Sequence, residues 1–167
     1  MSRLKEANLP GTQLTKQQLE AIFTAISTGT SQLRTLYLQN NNLSSVEPPL
    51  LARAVSSLEN LNLSYTQLKR HQLETILTPL SVEAPCLKIL NLRSSPMSSV
   101  EADLLARAVN NLEEVNLSSC QLSKKQAEAI LTESLMKTSL KRLDIRFVRL
   151  DKDLVERTKQ TIGSLEV

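Results

Sequence analysis

The sequence predicts an α/β solenoid, because one spacing of aliphatic residues recurs along the chain and helical segments separate its copies. Six segments share aliphatic residues at positions 1, 4, 6 and 11 of a common frame, and they begin at Leu4, Leu33, Leu58, Leu87, Leu112 and Leu140. The 167 residues include only two Phe and two Tyr, no Trp and three Gly. This composition predicts a regular aliphatic core and leaves little glycine for loops that cradle phosphates.

A larger duplication underlies these repeats. Their starts are separated by 29, 25, 29, 25 and 28 residues, so long and short units alternate. When residues 33–86 are aligned without gaps to residues 87–140, 25 of the 54 positions are identical. Identity at nearly half of the positions indicates that a pair of units was duplicated.

Each unit is predicted to form a strand, a turn and a helix. Leu36 and Leu38 alternate with Tyr37 and Gln39, as expected of a strand with one buried face. The predicted capping boxes are Thr15 with Gln18, Ser44 with Glu47, Ser98 with Glu101 and Ser123 with Gln126. Pro48 and Pro49 are expected in the first turn of a helix. Residues 151–167 are predicted to form a helix that caps the repeat series.

The frame L-x-x-L-x-L-x-x-N/C-x-L in units of 20–29 residues resembles the leucine-rich repeat family. The longer units look most like the ribonuclease-inhibitor-like subfamily, as found in NACHT-type innate immune receptors, whereas the 25-residue units depart from it and predict shorter helices. The resemblance implies one domain over residues 1–167, a right-handed horseshoe arc with a parallel sheet on its concave face and helices on its convex face. It also assigns the side chain at position 9 to the buried loop, so that Cys120 is a core residue and not a nucleophile.

The sequence offers no constellation of residues for catalysis or metal binding. The only histidine, His71, stands at an exposed-looking helix start, and no G-x-S-x-G, P-loop or H-E-x-x-H motif occurs. Cys86 and Cys120 lack zinc-site spacing and are too few for a disulfide framework. Carboxylates recur at equivalent helix positions, which indicates a structural role. We therefore expect no enzyme, no cofactor and no metal.

The concave face is the predicted contact surface. Aromatic residues and Arg dominate binding hot spots, which favours a Tyr37–Tyr65–Arg93 cluster and then Arg146 with Phe147. The full set of candidate contact residues is Tyr37, Gln39, Asn62, Tyr65, Asn91, Arg93, Asn116, Asp144, Arg146 and Phe147. Alternatives remain open: the three Asn side chains can bond to one another across stacked strands, Tyr65 can lean on a neighbouring turn, and Phe147 can belong to the core.

Charge and hydropathy limit the class of partner. The predicted concave rows balance three arginines (Arg93, Arg142, Arg146) with three acids (Glu6, Glu114, Asp144), so we expect no nucleic acid. No apolar run approaches the roughly 20 residues of a membrane span, so we expect no membrane role and a cytoplasmic location. The sequence thus predicts a non-catalytic module, monomeric or weakly dimeric, that binds a protein or peptide as a sensor, adaptor or inhibitor. The alternative is a scaffold or regulator that self-associates through its ends or convex helices.

Overall fold

The computed structural model describes residues 4–29, 31–82, 86–136, 138–148 and 150–167, and in these ranges seven short strands alternate with six helices. The strands are β1 Glu6–Asn8, β2 Thr35–Tyr37, β3 Asn60–Asn62, β4 Ile89–Asn91, β5 Glu114–Asn116, β6 Arg142–Asp144 and β7 Ser164–Glu166. The helices are α1 Lys16–Ser27, α2 Pro48–Val55, α3 Arg70–Leu80, α4 Ala102–Asn110, α5 Lys124–Met136 and α6 Lys152–Thr161. Strands pair in sequence order in one open parallel sheet, which confirms the predicted α/β solenoid.

The common frame explains the register of the sheet. Equivalent residues of successive units lie opposite one another, so that Leu36 pairs with Leu61 and Leu61 with Leu90. The same register aligns the residues at position 5 of every unit into one row: Asn8, Tyr37, Asn62, Asn91, Asn116, Asp144 and Glu166. The predicted central row of the concave face is therefore a real row, with Glu166 added to it.

The core is aliphatic and lies between the sheet and the helices. Leu58, Leu61 and Leu63 are each 0% exposed, and the residues at the corresponding positions of the other complete units are mostly buried as well. Asn41, at position 9, donates from Nδ2 to the carbonyls of Leu9 (2.7 Å) and Leu38 (3.1 Å), so it joins two loops. Cys120 takes the same position, buried, with its thiol donating to the Leu92 carbonyl. It is a core residue, as the resemblance implies.

Long and short units differ in helix length and in turn geometry. Helices α1, α3 and α5 of the long units have 12, 11 and 13 residues, whereas α2 and α4 have 8 and 9, which confirms the prediction of shorter helices. Position 8 has a left-handed backbone in each described unit with a complete turn: Gly11, Asn40, Tyr65, Ser94, Ser119 and Phe147. Among the described residues, a second left-handed residue at position 10 occurs only in the long units, at Gln13, Gln67 and Gln121.

Two of the four predicted capping boxes are wrong. Thr15 with Gln18 and Ser123 with Gln126 exchange the expected bonds. In the short units, however, Glu47 and Glu101 are themselves the N-cap residues, without a side-chain capping bond, and the helices begin at the next residue. The turn before α2 is closed instead by Asn42 Oδ1, which accepts from the Ser44 amide at 3.0 Å. Pro48 and Pro49 do stand in the first helical turn, as predicted.

The predicted helix over residues 151–167 is too long. Helix α6 ends at Thr161, and Ser164–Glu166 form β7, which pairs with β6. Ile162 is buried and Leu165 lies opposite Leu143, so they occupy positions 1 and 4 of a seventh copy of the frame. Apolar burial in the sheet therefore prevails over continuation of the helix.

Candidate functional site on the concave face

The asparagines of the concave face bond within their own strand ends. Asn62 Oδ1 accepts from the Ser64 amide at 3.0 Å, and Asn91 and Asn116 accept in the same way from Arg93 (3.0 Å) and Ser118 (2.9 Å). This is the Asx-turn geometry expected where a strand gives way to a turn. The predicted amide ladder across strands is wrong, because within the described residues these asparagines make no bond to one another.

This bonding fixes which way each amide points. A backbone N–H can only donate, so the atom that faces it must be Oδ1, and Nδ2 of Asn62, Asn91 and Asn116 faces away from the turn. In the described part of the chain these three Nδ2 atoms have no partner, and none is enclosed. The Ser64 and Ser118 hydroxyls also donate to Oδ1, which occupies the acceptor further. The row therefore presents N–H donors outward.

Arg93 and Tyr65, two members of the predicted cluster, contact each other. The Arg93 guanidinium carbon lies 5.6 Å from the centroid of the Tyr65 ring, a cation–π geometry. Tyr65 occupies the left-handed turn after β3, and through Arg93 it contacts the turn of the next unit. Because it is 45% exposed, it remains accessible to a partner. Within the described ranges, Arg93 has no ion pair and its buried Nε has no hydrogen-bond partner. Arg93 is thus held in place but not neutralised.

Tyr37 and Gln39 lie one unit before Tyr65. The Tyr37 hydroxyl accepts from Nδ2 of Asn60 at 3.2 Å, a neighbour on β3 that sequence reasoning did not select. Gln39 is half-buried, and its Oε1 is enclosed without a partner among the described residues. Among the described residues, no hydrogen bond, ion pair or cation–π contact joins Tyr37 to Tyr65 or Arg93. The predicted cluster is therefore a Tyr65–Arg93 pair with Tyr37 on the same face.

At the C-terminal end of the concave face, from β5 to β7, the charged side chains form ion pairs with one another. Asp144 was expected to be an exposed contact residue, but it is only 7% exposed because Arg146 folds over it, with Nη2 2.7 Å from Oδ2. This hydrogen-bonded carboxylate raises the pKa of Arg146 above its ordinary value. Arg146 also lies 3.3 Å from Glu166, and Arg142 lies 3.0 Å from Glu114. Sequence reasoning missed Glu166, although the Ile162–Leu165–Val167 spacing was the signal for its strand.

Phe147 does not belong to the core. It is 85% exposed, in a left-handed turn with φ of 80°, and borders a cavity of about 490 Å³ together with Arg146 and Val148. Two units separate it from the Tyr65 turn, so Phe147 and Arg146 form a second, distant group.

The depression in the middle of the concave face is too small for a typical small-molecule ligand, unlike the cavity beside Phe147. A depression of about 240 Å³ lies across β4–β7, lined in part by Asn91, Asn116 and Arg142, and it is smaller than the usual 300–1,000 Å³ of a ligand pocket. A wider groove of about 600 Å³ lies on the convex side between α2 and α3 and includes His71 and Val82. Among the described residues no group of three or more His, Cys, Asp or Glu could hold a metal ion. None of the described helices has both the length and the hydropathy that a membrane span requires.

Comparison with known proteins bears on the repeat frame. The Leucine Rich Repeat family model matches residues 32–54, which contain β2 and nearly all of α2, and residues 111–132, which contain β5 and the first part of α5. No curated protein matches the sequence. One match falls on a short unit and the other on a long unit, and the register places both in the same sheet. Together, the two matches support assignment of this chain to the leucine-rich repeat family.

Proposed function

We propose that this chain is a non-catalytic interaction module whose concave face binds a protein or a peptide. Leucine-rich repeats generally mediate protein–protein interaction. The observation that supports the concave face most strongly is Arg93, which is held against Tyr65 and lacks an ion pair within the described residues. Tyr and Arg are the residues that dominate hot spots, particularly when their positions are fixed before binding.

The contact surface extends from this pair in both directions. Asn62 and Asn91 supply donors beside Arg93, while Tyr37 and Gln39 lie toward one end and Asn116 toward the other. Arg146 and Phe147 form a second contact region at the far end, where Asp144 positions Arg146 and does not itself contact the partner.

The same proposal includes the subfamily, the cellular role and the compartment of the protein. The units of 28 and 29 residues suit the ribonuclease-inhibitor-like subfamily, from which the 25-residue units depart, and this subfamily would give the chain a sensor, adaptor or inhibitor role of the innate immune kind. Cys86 and Cys120 are free thiols, a state that suits a reducing, cytoplasmic compartment.

An affinity pull-down from a lysate of the source organism tests this proposal. The wild-type chain is compared with a Tyr37→Ala, Tyr65→Ala, Arg93→Glu triple variant and with Thr78→Arg, a control on the convex groove. Circular dichroism checks that all three chains are folded. We expect one partner to be retained by the wild type and by Thr78→Arg and lost from the triple variant. Equal retention by the triple variant would contradict the concave-face proposal.

The convex groove favours a second candidate, a scaffold that self-associates through its helices. In the duplicated counterpart of this groove, Asn110 stands where Ser56 stands here, and its Nδ2 donates to the Ile130 carbonyl at 3.0 Å and bridges α4 to α5. The α2–α3 groove lacks that bridge and has Val82, 75% exposed, on its rim. Under this alternative, sedimentation velocity would show an oligomer that Thr78→Arg dissociates and the triple variant does not.

A further inference from the structure

The concave face between β3 and β5 presents donors without free carboxylates. We call Asn62, Asn91, Asn116 and Arg93 the donor patch. The three Oδ1 atoms are engaged by strand-end amides, so the groups left for a partner are three amide N–H groups and the guanidinium. Among the described residues of this patch, no acid neutralises that cation.

Arg93 differs in this respect from the other concave arginines. Arg142 is paired with Glu114, and Arg146 with Asp144 and Glu166. Arg93 is flanked in its row by Ser64 and Ser118, which are small, buried and unable to neutralise it.

Part of the Arg93 guanidinium is already covered. The Tyr65 ring covers a face, and Nε is enclosed. The two terminal nitrogens remain, and their parallel N–H groups match the two oxygens of a planar carboxylate.

Docking any protein here would remove the remaining water from Arg93. Burial of an unpaired charge is strongly unfavourable, so a partner that covers this residue must provide an anion for it. A polyanion such as a nucleic acid is disfavoured because the next units place Glu114, Asp144 and Glu166 on the same face. A single carboxylate satisfies both conditions.

We propose that the partner places an aspartate or glutamate carboxylate end-on against Arg93, with Nδ2 of Asn62 and Asn91 bonding its oxygens or adjacent carbonyls. This inference rests on the proposed function, because it names the chemistry of the partner for the same surface. The strands are about 4.8 Å apart, so amides on neighbouring strands lie within reach of one acidic side chain and its backbone.

Selection from a display library of random twelve-residue peptides tests this proposal. Peptides that bind the wild-type chain are expected to be enriched in Asp and Glu, and Arg93→Glu is expected to select Lys and Arg instead. Arg93→Gln should weaken the selected acidic peptides by about tenfold to a hundredfold, the usual range for a hydrogen-bonded charge. The matched control is Arg142→Gln, which removes a concave arginine that is already paired and should change affinity less than threefold. Each variant is required to keep the wild-type urea midpoint. If Arg93→Gln does not, Arg93→Lys replaces it, because Lys keeps the charge but lacks the two parallel N–H groups and should also weaken the acidic peptides.

The outcomes separate this inference from the proposed function. Peptides that require Tyr37 and Tyr65 but show no acidic enrichment would overturn the carboxylate proposal and leave the concave face as the binding surface. Peptides that bind the triple variant as well as the wild type, or a library that yields no binders, would overturn both. A twelve-nucleotide single-stranded DNA could instead displace the selected peptides from the wild type but not from Arg93→Gln. That result would assign the site to phosphate and overturn the carboxylate proposal.

Discussion

Replacement of Gln72 by Ala should lower the free energy of unfolding more than the loss of an ordinary helix cap does, because Gln72 also links two neighbouring units. Gln72 is 0% exposed, and its Nε2 donates to the carbonyls of Leu43 and Val46, each at 2.8 Å, while its Oε1 accepts from the Lys69 amide at 2.8 Å. The substitution removes all three bonds and leaves the Val46 carbonyl and the Lys69 amide without these partners. At about 1 kcal/mol for each bond, the free energy of unfolding should fall by about 3 kcal/mol.

Gln18 provides the matched control, because it occupies the same repeat position in the first described unit. It is exposed and caps only the Thr15 amide, at 2.9 Å, so Gln18→Ala should cost about 0.5–1 kcal/mol. Urea unfolding followed by far-UV circular dichroism measures both, with m of about 2 kcal/mol per molar, so the midpoints should fall by about 1.5 M and by less than about 0.5 M. Equal shifts for the two variants would refute the reasoning that Gln72 links neighbouring units.

Four further predictions concern other parts of the chain. Burial raises the pKa of the Cys120 thiol to about 11, so an aromatic disulfide reagent at pH 8 should modify exposed Cys86 and spare Cys120 until the chain unfolds. Because the folded thiol holds its proton more tightly than the unfolded one, stability should decrease between about pH 9 and 11 in urea titrations, and Cys120→Ala should remove that decrease. Phe147→Asn should increase the free energy of unfolding by about 0.5–1 kcal/mol and so raise the thermal midpoint, because Asn tolerates the left-handed backbone and little packing is lost. An unchanged or lower midpoint would show that Phe147 packs in the folded state. Asp151→Ala removes the bond to the Leu154 amide and should cost about 1 kcal/mol by the same assay, whereas no loss would mean that this cap is satisfied by water.

The repeat frame was readable from sequence because one periodic requirement governs every unit. In the five units that begin at residues 33, 58, 87, 112 and 140, the aliphatic residues at positions 1, 4 and 6 are all buried, and this shared requirement predicted the strand register and the core position of Cys120. The C-terminal strand was missed because Ile162 and Leu165 are three residues apart, a spacing that fits both a helix face and this frame.

The details of the candidate site depended on contacts that residue type does not specify. Residue type alone did not show that Asn62 Oδ1 turns toward the Ser64 amide, since the bond requires the strand to end at Asn62. Asp144 was expected to be exposed because position 5 faces outward, but Arg146 two residues later covers it. The Tyr65–Arg93 contact was within reach of sequence reasoning, because neighbouring units place both residues in adjacent turns.

Site-specific photo-crosslinking tests the central claim most directly. Benzoylphenylalanine replaces Ile89, beside the donor patch on β4, in one chain, and Thr78 on the convex groove in another. Each chain is irradiated in a lysate of the source organism, and the products are identified by mass spectrometry. We predict that the Ile89 position yields one dominant crosslinked partner, which the Arg93→Glu substitution abolishes, and that the Thr78 position yields none. A partner crosslinked from Thr78 and not from Ile89 would contradict binding through the concave face.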